Sequence, residues 1–138
     1  MDPNSQTAFL NGSSAWSHSL ANVEFYPGTG NYNSPQTYKI ENVSGNGQDG
    51  VTYIYTDSAG FITHTDTYLN VAYTGGYSAA KRQSVVTHEL GHVLGLGHSS
   101  SSNCSVDPVM DPFTSHRWDT CQINTPKSDD IDGVNVLY

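Results

Sequence analysis

Positive charge is scarce in this chain of 138 residues. Five lysines and arginines stand against thirteen aspartates and glutamates, which gives a formal net charge of −8 at pH 7. A chain this acidic lacks the electrostatic attraction on which binding to nucleic acids and anionic membranes depends. The sequence also has no run that approaches the ~20 apolar residues of a membrane-spanning helix. We therefore expect a protein that binds neither nucleic acid nor membrane.

Cysteine is nearly absent, since only Cys104 and Cys121 are present. In an oxidising compartment two cysteines this close in sequence would pair, whereas in the cytosol they would remain thiols. Low lysine with abundant serine, threonine, asparagine and tyrosine is also common in secreted proteins. We therefore predict a disulfide and a secreted protein. Neither a basic start nor an apolar core follows Met1, so we expect any signal or pro-segment to lie outside this chain.

Large aliphatic residues are few, and hydrophobic residues of all kinds make up 36 % of the chain. At 14.9 kDa the length fits a single compact domain over residues 1–138. Its stability should depend on hydrogen bonds, tyrosine packing and cross-links or ions as well as on aliphatic burial. We expect a monomer.

The predicted order of elements is helix, strands, helix, loop, helix. A first helix over "TAFLNGSSAWSHSL" is predicted because its apolar residues share one face, although Gly12 weakens it. That face comprises Ala8, Phe9, Ala15, Trp16 and Leu20. Four segments rich in β-branched and aromatic residues, separated by turn-forming residues, predict strands. These segments are "NVEFYPG", "QTYKIENV", "GVTYIYTD" and "GFITHTDTYLN".

From about Ala79 to Leu94 the hydrophobic period becomes helical. The predicted core stripe consists of Val86, Leu90, Val93 and Leu94. On roughly the opposite side, His88 and His92 are about 40° apart around the helix and about 6 Å apart along it, so both imidazoles can reach one point. Glu89 lies about 60° further round. Its carboxylate should therefore lie beside that point, with room for a water molecule between them.

Gly95 follows the last periodic residue and can end the helix with a left-handed backbone. The chain can then return His98 to the same point as His88 and His92. Three neutral imidazoles and one open position are the coordination of a catalytic zinc ion. A buried amphipathic helix with incidental histidines is the alternative, but the spacing of all three histidines favours a zinc site.

The segment "HELGHVLGLGH" matches the signature H-E-x-x-H-x-x-G-x-x-H in full, and with it the chain resembles the metzincin zinc endopeptidases. Met110, twelve residues after His98, is similar to the methionine of their Met-turn. Ser99 directly after the third histidine resembles the matrixin (matrix metalloproteinase) branch, as does the closing "TPKSDDIDGVNVLY". The resemblance implies an α+β, metzincin-like zincin fold. Its elements would be an N-terminal helix, a small twisted mixed sheet with an antiparallel edge strand, an active-site helix, the Met-turn and a C-terminal helix.

The same resemblance implies a zinc-dependent endopeptidase that hydrolyses extended polypeptides. Zinc would activate a water and polarise the carbonyl, with Glu89 as the general base. The segment "ITHTDTYLN" resembles the antiparallel edge strand, so the substrate would pair near Tyr68 to Tyr73. Met110 would pack beneath the imidazoles, and Phe113 would form a wall of the S1′ pocket. A propeptide or a protein inhibitor would be further partners.

Two other readings of the zinc site stay open. The same fold could be a non-catalytic zinc-containing binding module, although an intact Glu89 argues against it. A zinc amidase that acts on non-protein amides would use the same chemistry and differ only in its substrate.

Several further residues carry weaker signals. A calcium ion could bind in "SGNGQDG", although a hairpin loop without metal is the preferred interpretation because ligands at EF-hand spacing are missing. His64 is interpreted as a polar edge-strand residue, and His18 and His116 as ordinary surface or packing residues. Asp129 and Asp130 suit the start of the last helix, which Ser128 or Thr125 would cap. By resemblance to matrixins, one of these aspartates would brace the Met-turn or receive a chain-terminal ammonium.

Overall fold

The computed structural model describes residues 1–26, 28, 35–42 and 45–138. These residues form an α+β fold with a small mixed sheet, as the sequence predicts. The helices are α1 (Pro3–Ser17), α2 (Val71–Thr74), α3 (Ala79–Val93), a π helix (Ser115–Thr120) and α4 (Ser128–Leu137). The strands are β1 (Gln36–Asn42), β2 (Gly50–Thr56) and β3 (Ile62–Asn70). Within the described residues, no helix is both long enough and apolar enough to cross a membrane.

Helix α1 begins at Pro3, whose fixed φ suits the first turn of a helix, and ends at Ser17. Its buried residues include Ala8, Phe9 and Trp16, as predicted. The prediction that Leu20 lies on the same apolar face is wrong. Leu20 follows the end of the helix and is 84 % exposed.

Helix α1 packs closely against α3, and Gly12 makes the approach possible. A Cβ atom at Gly12 would lie 2.9 Å from Val86 Cγ1 and 3.2 Å from the backbone nitrogen of Thr87. One turn further on, the indole Nε1 of Trp16 donates a hydrogen bond of 2.9 Å to the Thr87 carbonyl. The glycine that weakens α1 as an isolated helix therefore allows the contact that fixes α1 on α3.

The sheet has the order β1-β3-β2, with β3 parallel to β1 and antiparallel to β2. The prediction that the β3 segment is the antiparallel edge strand is wrong, because β3 pairs on both sides and β2 is the edge. The short turn from Asp57 to Phe61 returns the chain beside β2, while β1 occupies the other side of β3. The predicted strand "NVEFYPG" is also wrong for Asn22–Tyr26 and Gly28, which form no strand; Pro27 lies outside the described residues.

The core is formed by residues of α1, β3, α3 and α4, together with the loop that precedes the π helix and Ile123 after it. Helix α3 is buried on more than the one face that the sequence predicts. The adjacent residues Val85 and Val86 point to different faces, and both belong to the core together with Leu90 and Leu94. Val93, predicted in the stripe, is only half-buried. This central position explains why polar side chains of α3 are buried in the fold.

Candidate metal centre and active-site cleft

The three histidines of the motif converge as their spacing predicts. Helix α3 places His88 and His92 one turn apart, and the chain then turns at Gly95, which has a φ of +93°. The amide of Leu96 donates to the Gly91 carbonyl at 3.0 Å and stabilises this turn. One ligand atom from each of His88, His92 and His98 lies within 4.8 Å of the others.

Backbone carbonyls determine which ring nitrogens of two histidines are free. His88 Nδ1 lies 2.9 Å from the Val109 carbonyl, and His92 Nδ1 lies 2.8 Å from the Leu96 carbonyl. A carbonyl only accepts, so both Nδ1 atoms carry the proton and both Nε2 atoms keep a free lone pair. The guanidinium of Arg117 also lies 3.3 Å from His88 Nδ1. Because that nitrogen donates to Val109, this neighbour is a contact without a hydrogen bond.

Glu89 lies beside the histidines with its side chain turned toward β2. The residue is 5 % exposed, and its burial raises the pKa of the carboxyl to about 7. The hydroxyl of Thr52 donates to Glu89 Oε2 at 2.7 Å and opposes this rise. Glu89 is therefore a buried, oriented carboxyl group that can exchange a proton near neutral pH.

Two residues of β2 that the sequence did not single out position Glu89. Thr52 supplies the hydrogen bond just described. Gly50 leaves room for the carboxylate, because a Cβ atom there would lie 2.8 Å from Glu89 Cγ, from Glu89 Oε1 and from Val85 Cγ1. A glycine that opens a strand directly opposite the motif is a weak sequence signal, since its partner is 39 residues away.

The loop bearing Met110 is attached to α4 by Asp130. One carboxylate oxygen of Asp130 accepts from the amides of Val109 and Lys127, both at 2.8 Å, and the other accepts from Met110 at 3.2 Å. The expectation that one aspartate braces this turn is therefore confirmed for Asp130. Asp129 instead accepts from the Ser99 hydroxyl at 2.9 Å.

Met110 itself is buried. A Cβ atom added at Gly91 of α3 would overlap its sulfur, so the side chain packs directly on the helix that bears His88 and His92. The predicted caps of α4 are wrong. The helix starts after Lys127, whose amide donates to Asp130, and no cap by Ser128 or Thr125 is formed.

Comparison with known proteins agrees with this architecture. The model of the matrixin family matches residues 5–138. The chain belongs to the matrixin family. Metalloendoproteinase 1 of Glycine max is 43 % identical over 61 residues, which are 44 % of this chain and 18 % of that protein. Matrix metalloproteinase-19 of Homo sapiens is 33 % identical over 64 residues, or 46 % of this chain and 11 % of that protein.

A third relative, Metalloendoproteinase 4-MMP of Arabidopsis thaliana, is 42 % identical over 60 residues, which are 44 % of this chain and 16 % of that protein. The match to each of these three relatives therefore covers less than a fifth of the relative's own length. No solved structure gives a significant match to the chain.

Membership of the matrixin family implies a zinc ion, and the donor set of this matrixin fits one. The Nε2 atoms of His92 and His98 are 3.2 Å apart. Two nitrogens at about 2.0–2.1 Å from one zinc, in tetrahedral directions, lie about 3.4 Å apart. Burial lowers the pKa of His92 and lowers that of His88 well below its ordinary value. Both imidazoles are therefore neutral and able to bind a metal at neutral pH.

A cleft of about 510 Å³ opens in front of the histidines. Its lining includes the start of β2 from Gly50 to Thr52 and also Phe113, which is 68 % exposed. The prediction that an extended substrate pairs with an edge strand near Tyr68 to Tyr73 is wrong, although Tyr73 does line the cleft. Tyr68 is paired on both sides, and Val71–Thr74 is helical. In the part of the chain that the structure describes, β2 pairs with β3 alone, and residues of β2 line the cleft.

The buried guanidinium of Arg117 connects α3 to the π helix, a role that sequence reasoning missed. Its Nε donates to Ser84 Oγ at 3.0 Å, and Nη2 donates to Thr114 Oγ1 at 2.9 Å. Nη1 donates to the Asp111 carbonyl. The predicted disulfide between Cys104 and Cys121 is present, and it joins the start of the Met110 loop to the end of the π helix.

The remaining predicted site residues lie elsewhere. His64 lies on the central strand, so the prediction that it lies on an edge strand is wrong. Its ring stacks on that of Tyr55, with 4.3 Å between the ring centroids. The segment "SGNGQDG", in which calcium could bind, begins at Ser44, which lies outside the described residues. In its described part, Asn46 Oδ1 accepts from the Gln48 amide. Calcium binding in this loop stays a prediction.

Proposed function

We propose that this matrixin domain is a zinc-dependent endopeptidase that hydrolyses peptide bonds of extended polypeptides. One observation carries the proposal: a buried carboxyl group with a raised pKa lies beside three imidazoles that offer ligand atoms to one point. His88, His92 and His98 would hold the ion. A site that only stores a metal has no need of the carboxylate.

Zinc, when bound, supplies a Lewis acid that polarises the scissile carbonyl and makes water nucleophilic near pH 7. Glu89 accepts a proton as the water oxygen adds to the carbonyl carbon, and it returns that proton to the amine when the C–N bond breaks. The Thr52 hydroxyl holds one carboxylate oxygen in place. Met110 supports α3 from below as a polarisable apolar contact.

The substrate lies extended along β2. Among the described residues β2 pairs only with β3, and its Thr52 and Ile54 line the cleft. The other edge of the strand can therefore pair with a peptide by strand addition. Phe113 forms a wall for the side chain that follows the scissile bond. The disulfide agrees with secretion into an oxidising compartment. A monomer, regulated by a propeptide or a protein inhibitor, completes the proposal.

Glu89→Ala separates the endopeptidase from a binding module that only holds zinc. The variant should fold and keep its zinc, because the three imidazoles remain, yet peptide hydrolysis should fall by about 10² to 10⁴. Cut sites in a denatured protein and a mixed peptide library are mapped by mass spectrometry at equal zinc content. Equal cleavage by wild type and variant would contradict the mechanism. A wild type that cleaves only non-peptide amides would identify the amidase instead.

A further inference from the structure

A second group of metal-binding side chains lies on the loop around Met110. Asp107, Asp111 and His116 each offer one ligand atom, and these atoms lie within 4.8 Å of one another. Asp111 Oδ2 is 2.6 Å from His116 Nδ1, and Asp107 Oδ2 is 3.5 Å from the same nitrogen. Both aspartates are almost fully buried, at 0 % and 1 % exposed, and the His116 side chain is partly open to solvent. His116 therefore contacts two buried carboxylates, which goes beyond the ordinary surface or packing role that the sequence suggested.

The backbone orients both carboxylates toward this point. Asp107 Oδ1 accepts from the Ser101 amide at 2.7 Å, and Asp111 Oδ1 accepts from the Phe113 amide at 2.8 Å. These bonds leave the Oδ2 atom of each carboxylate directed at His116. Asp107 Oδ2 is buried and has no hydrogen-bond partner. Leaving a buried carboxylate oxygen without a donor or a cation is costly.

We propose that Asp107, Asp111 and His116 form a second metal site, which binds a divalent transition-metal ion of the zinc class. The 3.5 Å from Asp107 Oδ2 to His116 Nδ1 is close to the about 3.4 Å expected for two ligands on one zinc. The 2.6 Å from Asp111 Oδ2 is that of a hydrogen bond, and this pair must separate by about 0.8 Å when a metal ion replaces the shared proton. Two carboxylates and one imidazole suit zinc better than calcium, which prefers oxygen ligands. A net charge of −8 also favours cation binding.

A protonated His116 alone would satisfy this cluster less well. Its Nδ1 has one proton, which is directed at Asp111, so Asp107 Oδ2 receives only an ionic contact at 3.5 Å and no hydrogen bond. A metal ion in place of that proton contacts both carboxylates at once. His116 Nε2 then faces the sulfur of Cys121, 3.8 Å away. That sulfur is part of the disulfide and cannot serve as a thiolate ligand.

The ion would act as a structural clamp. Asp107 and Asp111 flank Val109 and Met110 in sequence, and His116 lies on the π helix. Binding therefore ties the loop that supports α3 to the helix that carries Arg117. The site is independent of the proposed peptidase activity, since none of its ligands belongs to the histidine centre.

Zinc stoichiometry tests the proposal. The protein is equilibrated with buffered free zinc, and its zinc content is measured by elemental analysis. We expect two ions in the wild type, one in His116→Gln, and two in the control His18→Gln, which replaces a histidine outside both groups. Equal zinc content in wild type and His116→Gln would overturn the second site. His92→Gln should also retain one ion. If its zinc content instead equals that of the wild type, zinc binding at the histidine centre is refuted, while the second site is unaffected by that result.

A measurement on the wild type covers the case in which His116→Gln does not fold. The chain is loaded with ¹¹³Cd²⁺ and examined by NMR. Two resonances are expected, one from the three-histidine site and one from the site with mixed oxygen and nitrogen ligands. Both should persist in excess Ca²⁺. A single resonance at saturation, or displacement of the second by calcium, refutes a zinc-class site.

Discussion

Replacing Gly50 with alanine tests how the sheet positions Glu89. The new Cβ atom would lie 2.8 Å from Glu89 Cγ, Glu89 Oε1 and Val85 Cγ1, whereas ordinary contacts begin at 3.4 Å. The carboxylate or the strand must therefore move by about 0.6 Å, and overpacking of this kind costs about 1–3 kcal/mol. A catalytic group misplaced by about 1 Å can lower the rate about 10²-fold. We expect Gly50→Ala to lose most of its peptidase activity and to retain its histidine-bound zinc.

The assay compares kcat/KM and the midpoint of urea unfolding at equal zinc content. Gly76→Ala is the matched control, because a Cβ atom at Gly76 meets nothing within 4 Å. It should match the wild type in both measurements. If Gly50→Ala also retains full kcat/KM and full stability, the close approach of β2 to Glu89 does not set the position of the carboxylate, and the reasoning fails.

Two further predictions concern the loop around Met110. Asp130→Asn keeps the size of the side chain but replaces an acceptor oxygen with a donor, so at least one of three backbone amides loses its partner. Denaturant unfolding should show a loss of about 1–3 kcal/mol, and unchanged stability would contradict the bracing role. Replacing both Cys104 and Cys121 with serine opens a loop with a sequence separation of 17 and should cost about 3 kcal/mol. An unfolding midpoint equal to that of the oxidised wild type would show that the disulfide contributes nothing.

The histidine centre was predictable because its information is local. His88 and His92 share a helix, and Gly95 marks the turn that returns His98. The helical period alone fixes most of this geometry. The disulfide was predictable for a similar reason, since Cys104 and Cys121 leave one pairing within the chain. That Asp129 or Asp130 braces the loop came from the resemblance to matrixins, and the structure identifies Asp130 as the one.

The strand order was not predictable, because it depends on pairing between distant segments. The β3 segment has an alternating pattern that suits an edge or a central strand equally well. Gly50 and Thr52 were missed because a glycine and a threonine in a strand give at most a weak sign that a carboxylate 37 to 39 residues later packs on them. Arg117 and the group around His116 were missed because their partners meet only after the loop has folded.

Under the proposed function, β2 binds the main chain of its substrate, and every polypeptide has a main chain. Unfolded copies of this protein present the same amide and carbonyl groups as any other extended substrate. Under the same proposal, folded molecules would therefore digest the unfolded molecules of their own population. A destabilised variant would then be degraded at a rate that rises with total protein concentration. Its lifetime in storage would depend on the fraction of unfolded molecules as well as on the activity of the site.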